Sequence, residues 1–72
     1  MKESELYKKV AERIKALRLE RGITQQELAG MLDYEKSNMS RLEAGKVNIK
    51  LNTIYKIAQA LNISMGELLD VE

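Results

Sequence analysis

Leu6, Val10, Ile14 and Leu17 recur at spacings of four, four and three, which lines them along one face of a helix running to about Arg21. Gly22 ends it, as the residue suited to the left-handed conformation just past a helix C-terminus. The opposite face carries Lys8, Lys9, Glu12, Arg13, Lys15, Glu20 and Arg21 and reads as a solvated surface, ahead of a basic stripe for a membrane or a partner's groove. In Ile23-Thr24-Gln25-Gln26-Glu27-Leu28, Thr24 fits an N-cap and Glu27 stands three residues on, where its carboxylate reaches the Thr24 backbone N–H. Ile23 and Leu28 flank that box as a hydrophobic staple, so a second helix starts here, continues through Ala29 and Leu32, and stops at Asp33.

The same device returns at Ile63-Ser64-Met65-Gly66-Glu67-Leu68 and predicts a last short helix ending near Leu69. A third helix from about Glu35 to Ala44 has only Met39 and Leu42 as apolar anchors, is closed by Gly45, and leaves a wide polar face. Leu51, Ile54, Ile57, Ala58 and Leu61 mark a fourth, with Asn62 just past its end and its N-cap open between Asn52 and a residue nearer Lys50. No segment alternates as a strand would. The expectation is an all-α fold: a compact five-helix domain over residues 1–72.

Composition narrows the chemistry. The 72 residues include no Cys, His, Pro, Trp or Phe, so disulfides, Cys/His zinc sites and imidazole-assisted nucleophiles are all excluded. Neither a metal nor a cofactor is expected, and nothing in the pattern positions a substrate, so the chain does not read as an enzyme. No apolar run reaches the ~18 residues of a membrane span, and the start lacks a signal peptide's apolar stretch; the expected location is the cytoplasm. Twelve Lys+Arg against eleven Asp+Glu give a net charge of +1, so any attraction to nucleic acid has to rest on where the charges stand. Tyr7, Tyr34 and Tyr55 are the only aromatics, and two of the three are expected to pack and not to stack on bases.

Helices two and three are separated by only two or three residues, too few for an antiparallel hairpin. They must cross steeply, as in a helix-turn-helix, with the polar face of the third turned outward. The stretch ITQQELAGMLDYEKSNMSRLEAGK, followed by LNTIYKIAQALNISMGELL, resembles the Cro/C1-type helix-turn-helix family, also called the XRE family, which includes lambdoid phage repressors and restriction-modification controller proteins. The resemblance runs from about residue 6 to 69 and rests jointly on Thr24-Gln25, Glu27-Leu28-Ala29, Ser37 with Met39-Ser40, Glu43 with Gly45, and Ile57-Ala58 with Ala60-Leu61.

That resemblance implies a sequence-specific regulator of transcription that binds double-stranded DNA, with the third helix in the major groove. Lys36, Ser37 and Arg41 fall at base-reading positions, and Glu35 at the groove edge. Gln25, Asn38 and Lys46 fall at phosphate contacts. Arg18 and Glu43 fall where the family pairs helix one with the recognition helix. A homodimer on a palindromic operator is implied, with Met65, Leu69 and Val71 as dimer contacts. The chain departs from the family in having Asp33 where Gly is common, Ile49 where Pro is common, and Ala44 for a polar residue, which implies a looser loop before helix four. With no sensing domain after helix five, regulation is expected to follow concentration. The alternatives are an antitoxin that binds a toxin partner and represses its own promoter, or the DNA-binding part of a longer protein.

Overall fold

The computed structural model describes residues 1–71, and among them the helices are α1 (Glu3–Glu20), α2 (Gln25–Met31), α3 (Lys36–Glu43), α4 (Leu51–Ala60) and α5 (Met65–Leu68), with no strand. Both capping boxes are formed: Thr24 accepts from the Glu27 N–H and Ser64 from the Glu67 N–H, while each glutamate reaches back to the N-cap backbone. The hydrogen bonds from Thr24 hold the Glu27 carboxyl below the usual glutamate range.

One four-residue connection is used three times. Arg21-Gly22-Ile23-Thr24, Leu32-Asp33-Tyr34-Glu35 and Leu61-Asn62-Ile63-Ser64 each run from a C-cap to the next N-cap, with the second residue at φ of 66°, 55° and 58°. In each, the third residue's N–H bonds back to a carbonyl five residues earlier: Ile23 to Arg18 at 3.1 Å, Tyr34 to Ala29 at 2.8 Å and Ile63 to Ala58 at 2.9 Å. This is a Schellman ending, and its apolar third residue also precedes the next N-cap. Ile23, Tyr34 and Ile63 all pack on the core, so one side chain closes one helix and aims the next. Asp33 therefore does the work expected of Gly, in the left-handed region that Asp tolerates better than most residues.

The core lies where these helices meet, with Ile14, Leu28, Met39, Ile57, Leu61 and Leu68 fully buried. Two expected stripe residues stand outside it: Leu6, 41% exposed, and Leu51, 71% exposed, lie in the first turns of α1 and α4 and line a surface groove instead. Lys50, not Asn52, is the α4 N-cap. The connection before α4 is tied down by Val47 and Ile49, both packed on the core, in place of the looser loop expected without a proline.

Nor is the basic face of α1 simply solvated. Arg13 donates through Nε and Nη2 to the Glu67 carbonyl at 3.2 and 2.8 Å, and Arg21 Nε donates to the Leu61 carbonyl at 2.8 Å. Cations thus satisfy carbonyls at the C-terminal ends of α5 and α4, where the backbone has acceptors without helical partners. Arg18, 5% exposed, pairs with Glu43 of α3 through Nε–Oε2 at 2.7 Å and Nη2–Oε1 at 3.0 Å, while Nη1 donates to the Ile23 carbonyl at 2.6 Å. The pair holds α3 against α1.

Breaking this pair from one side, by Arg18→Met or Glu43→Leu, is expected to cost about 3–5 kcal/mol in urea unfolding, with the double variant losing less than the sum. Additive losses would contradict a coupled pair. Gly45 offers a second test: at φ 75° a Cβ there would lie 2.9 Å from the Lys8 Cα, whereas Gly22 at φ 66° has open space around it. Gly22→Ala should therefore cost only the left-handed backbone term of about 1–2 kcal/mol, and Gly45→Ala clearly more, because helix α1 has to move away. Equal melting-temperature drops would refute the close approach.

Candidate nucleic-acid interface

Helix α3 turns Met39 and Leu42 inward, both at most 2% exposed, which by helical periodicity leaves Lys36, Ser37, Ser40 and Arg41 on the outer face. All four are exposed, as is Glu35, the α3 N-cap. The predicted base-reading residues are therefore gathered on the first turn and a half of one helix. Each of Lys36, Ser37 and Arg41 offers hydrogen-bond donors, while Glu35 contributes an acceptor at the rim.

On one side of this stripe stands Gln25, the first residue of α2. Its Nε2 donates to Glu43 Oε1 at 3.0 Å and its Oε1 accepts from Ser40 Oγ at 2.9 Å. The amide is therefore not a free surface group. It is the outer end of a chain that runs through Glu43 to Arg18, and Ser40 is a member that sequence reasoning noted only as part of a motif.

On the other side lies a cleft of about 380 Å³ between α3 and the start of α4, lined by Asn38 and Arg41 together with Tyr34, Asn48, Lys50, Asn52 and Lys56. Arg41 Nη2 donates to Asn38 Oδ1 at 3.3 Å, which leaves the Asn38 NH₂ for an outside acceptor. Lys46 is exposed just past Gly45. Sequence reasoning missed Asn48, Lys50, Asn52 and Lys56; the available signal was the run of amides and lysines after Gly45, which carries no motif of its own. Residues 34–56 thus hold five cations against Glu35 and Glu43, and Glu43 is already matched by Arg18. A surface of cations, amides and a tyrosine hydroxyl around a protruding helix is chemically suited to a polyanion with readable edges.

The predicted dimer residues do not lie together. Leu69 and Val71 line an apolar groove of about 330 Å³ with Leu6, Tyr7 and Val10 of α1 and Ile49, Leu51 and Ile54. Met65 instead packs, half-buried, against the core and is not part of this groove. Of the tyrosines, Tyr7 and Tyr34 are half-buried and Tyr55 is exposed with its hydroxyl accepting from Gln59 at 2.9 Å. Beside Glu3, whose carboxylate accepts from its hydroxyl at 3.4 Å, Tyr7 ionises above the usual tyrosine range, by desolvation first and the carboxylate's charge second.

Comparison with known proteins gives the same outline. The family model of the Cro/C1-type HTH DNA-binding domain matches residues 13–72. An uncharacterized HTH-type transcriptional regulator of Sinorhizobium fredii is 36% identical over 64 residues, covering 89% of this chain and 83% of that protein. The immunity repressor protein of Bacillus phage phi105 is 35% identical over 63 residues, covering 88% of this chain but only 44% of its own length. Among solved structures, the restriction-modification controller protein C.AhdI from Aeromonas hydrophila superposes with a TM-score of 0.82, with 34% identity over 86% of this chain and 94% of that one, and the hypothetical transcription factor NHTF from Neisseria with a TM-score of 0.84, with 31% identity over 94% of this chain and 76% of that one. With a five-helix fold, an outward polar α3 and a matching model across most of its length, the chain belongs to the Cro/C1-type helix-turn-helix family of DNA-binding transcriptional regulators.

Proposed function

We propose that the protein reads a specific double-stranded sequence in the cytoplasm, with α3 in the major groove and a second copy on the other half of a palindromic site. The observation that carries this reading is the outer stripe of α3, Lys36, Ser37, Ser40 and Arg41, flanked on both sides by groups fit for phosphates. Lys36 and Arg41 suit guanine O6 and N7, Ser37 either partner, and Glu35 a cytosine amino group. The second N–H of the Gln25 amide, the Asn38 NH₂ and Lys46 are assigned to backbone phosphates, joined by Lys50 and Asn48 from the cleft.

Dimerisation is supported by scale and by surface. The protein measures 31 × 24 × 21 Å, and one exposed helix reads few base pairs; two copies side by side would place two such helices about one turn of DNA apart, ~34 Å. The apolar groove with Leu6, Leu51 and Leu69 exposed at its edge is the surface we assign to the second copy, which replaces Met65 by Leu6 and Leu51 among the contacts. An antitoxin would instead keep this groove for a different protein and run as a monomer when alone.

Selection of bound sites from random DNA tests the whole reading, and a palindromic product is the expected result. Against that site, Lys36→Ala and Arg41→Ala should each relax preference at one base position by about 1–3 kcal/mol, while Lys46→Ala should weaken all sequences alike and lower the salt slope by about one. Uniform loss from all three would mean that the readers lie elsewhere. Leu51→Glu should convert a dimer to a monomer in sedimentation equilibrium while leaving the helical circular dichroism of the native state at its wild-type level, since Leu51 is 71% exposed in the single chain. A wild-type chain that stays monomeric at high concentration would remove the dimer from the reading.

A further inference from the structure

Ser40 sits on the outer face of α3, where a short polar side chain is commonly taken as one more base contact. Its hydroxyl is already committed: Oγ donates to Gln25 Oε1 at 2.9 Å. The direction of that bond is dictated from the far end of the network. Glu43 Oε1 accepts from Arg18 Nη2 and from Gln25 Nε2, each at 3.0 Å, and a carboxylate has no hydrogen to offer in return. The nitrogen side of the Gln25 amide must therefore face Glu43, its oxygen must face Ser40, and the Ser40 hydroxyl must donate.

We infer that Ser40 is a positioning residue for DNA binding: by holding Gln25 Oε1 it fixes the plane of the amide, so that the N–H not taken by Glu43 is aimed at a backbone phosphate. This rests on the reading of Gln25 as a phosphate contact. The terminal torsion of a glutamine is broad, so an amide held only at its nitrogen sweeps a wide range of orientations. An amide held at both ends has one plane. Because Arg18 and Gln25 already supply Glu43 with its donors, the buried charge near this contact is matched and does not repel the phosphate. The bond also joins α2 to α3 across the turn, so the phosphate contact and the reading helix keep a common frame.

The test uses the whole chain and a duplex of arbitrary sequence about two helical turns long at low salt, since a phosphate contact carries no base information. Ser40→Ala is expected to weaken binding about 2- to 10-fold, the equivalent of one neutral hydrogen bond, with the salt slope and the melting temperature unchanged because no charge and no buried group is lost. Added to Gln25→Ala, it should cause no further loss. In the free protein, Ser40→Ala should shift the side-chain NH₂ resonances of Gln25, a readout independent of DNA. Equal losses in the presence and absence of Gln25 would overturn the proposal and make Ser40 a direct contact, and an unchanged affinity or unmoved Gln25 resonances would overturn it as well. If the resonances move but Gln25→Ala binds as well as wild type, the phosphate reading of Gln25 fails and the proposal falls with it, while the hydrogen bond itself stands.

Discussion

The ion pair between Arg18 and Glu43 is the constraint on which the rest of the molecule depends. Helix α3 brings only Met39 and Leu42 to the core, too little apolar surface to hold eight residues in a fixed attitude with their polar side toward water. The bidentate guanidinium contact supplies the missing attachment. The Arg18 and Glu43 side chains are only 6% and 2% exposed, so each would be a stranded charge without the other, and any orientation of α3 that separates them is strongly disfavoured. Such a pair adds little net stability against a well-packed apolar substitute; what it adds is direction, since carboxylate and guanidinium meet well in few geometries. Arg18 Nη1 donates to the Ile23 carbonyl, which pins the entry to α2, and Glu43 takes its third donor from Gln25. One buried pair therefore sets α1, α2 and α3 relative to each other.

The repeated connection explains how so short a chain specifies five helices. Each joint has a left-handed second residue, a core-packed third residue and a fourth at the next N-cap position, so the chain turns in four residues without leaving long loops to order. Where Gly45 ends α3 the pattern breaks, because the backbone there passes so close to Lys8 that no side chain fits. That contact is the second anchor of α3 on α1, at the opposite end from the turn with α2. Together, the joint at Asp33 and the close approach at Gly45 fix both ends of α3, and the ion pair fixes its roll.

Much of the fold was legible because its signals are local. Capping boxes at Thr24 and Ser64, left-handed residues at Gly22, Asn62 and Gly45, and the apolar spacing of α1 and α4 each depend on a handful of neighbouring residues. Features that depend on which elements meet were not legible. Arg13 and Arg21 look like surface charges until α5 and α4 place their terminal carbonyls beside them. Leu6 and Leu51 obey helical periodicity, yet they line an open groove and not the core, because periodicity says nothing about which neighbouring element covers a face. The candidate site divides in the same way: the polar stripe on α3 is a local pattern, whereas the cleft beside it joins residues 34–42 to residues 47–56 and exists only once α4 is in place.

A net charge of +1 is then no argument against a polyanionic partner. Seven of the twelve basic residues precede Gly22, and three of these, Arg13, Arg18 and Arg21, are bound to carbonyls or to Glu43. All five remaining cations stand around α3 and the cleft, where Glu35 is the one acid not matched by Arg18 between residues 34 and 56. With a Debye length of about 8 Å at physiological salt, an anion at that face responds most to the charges nearest it, which are these five cations with Glu35 and with Asp33, the latter beside Lys56. Near-neutrality of the chain as a whole is thus compatible with a face on which cations outnumber acids.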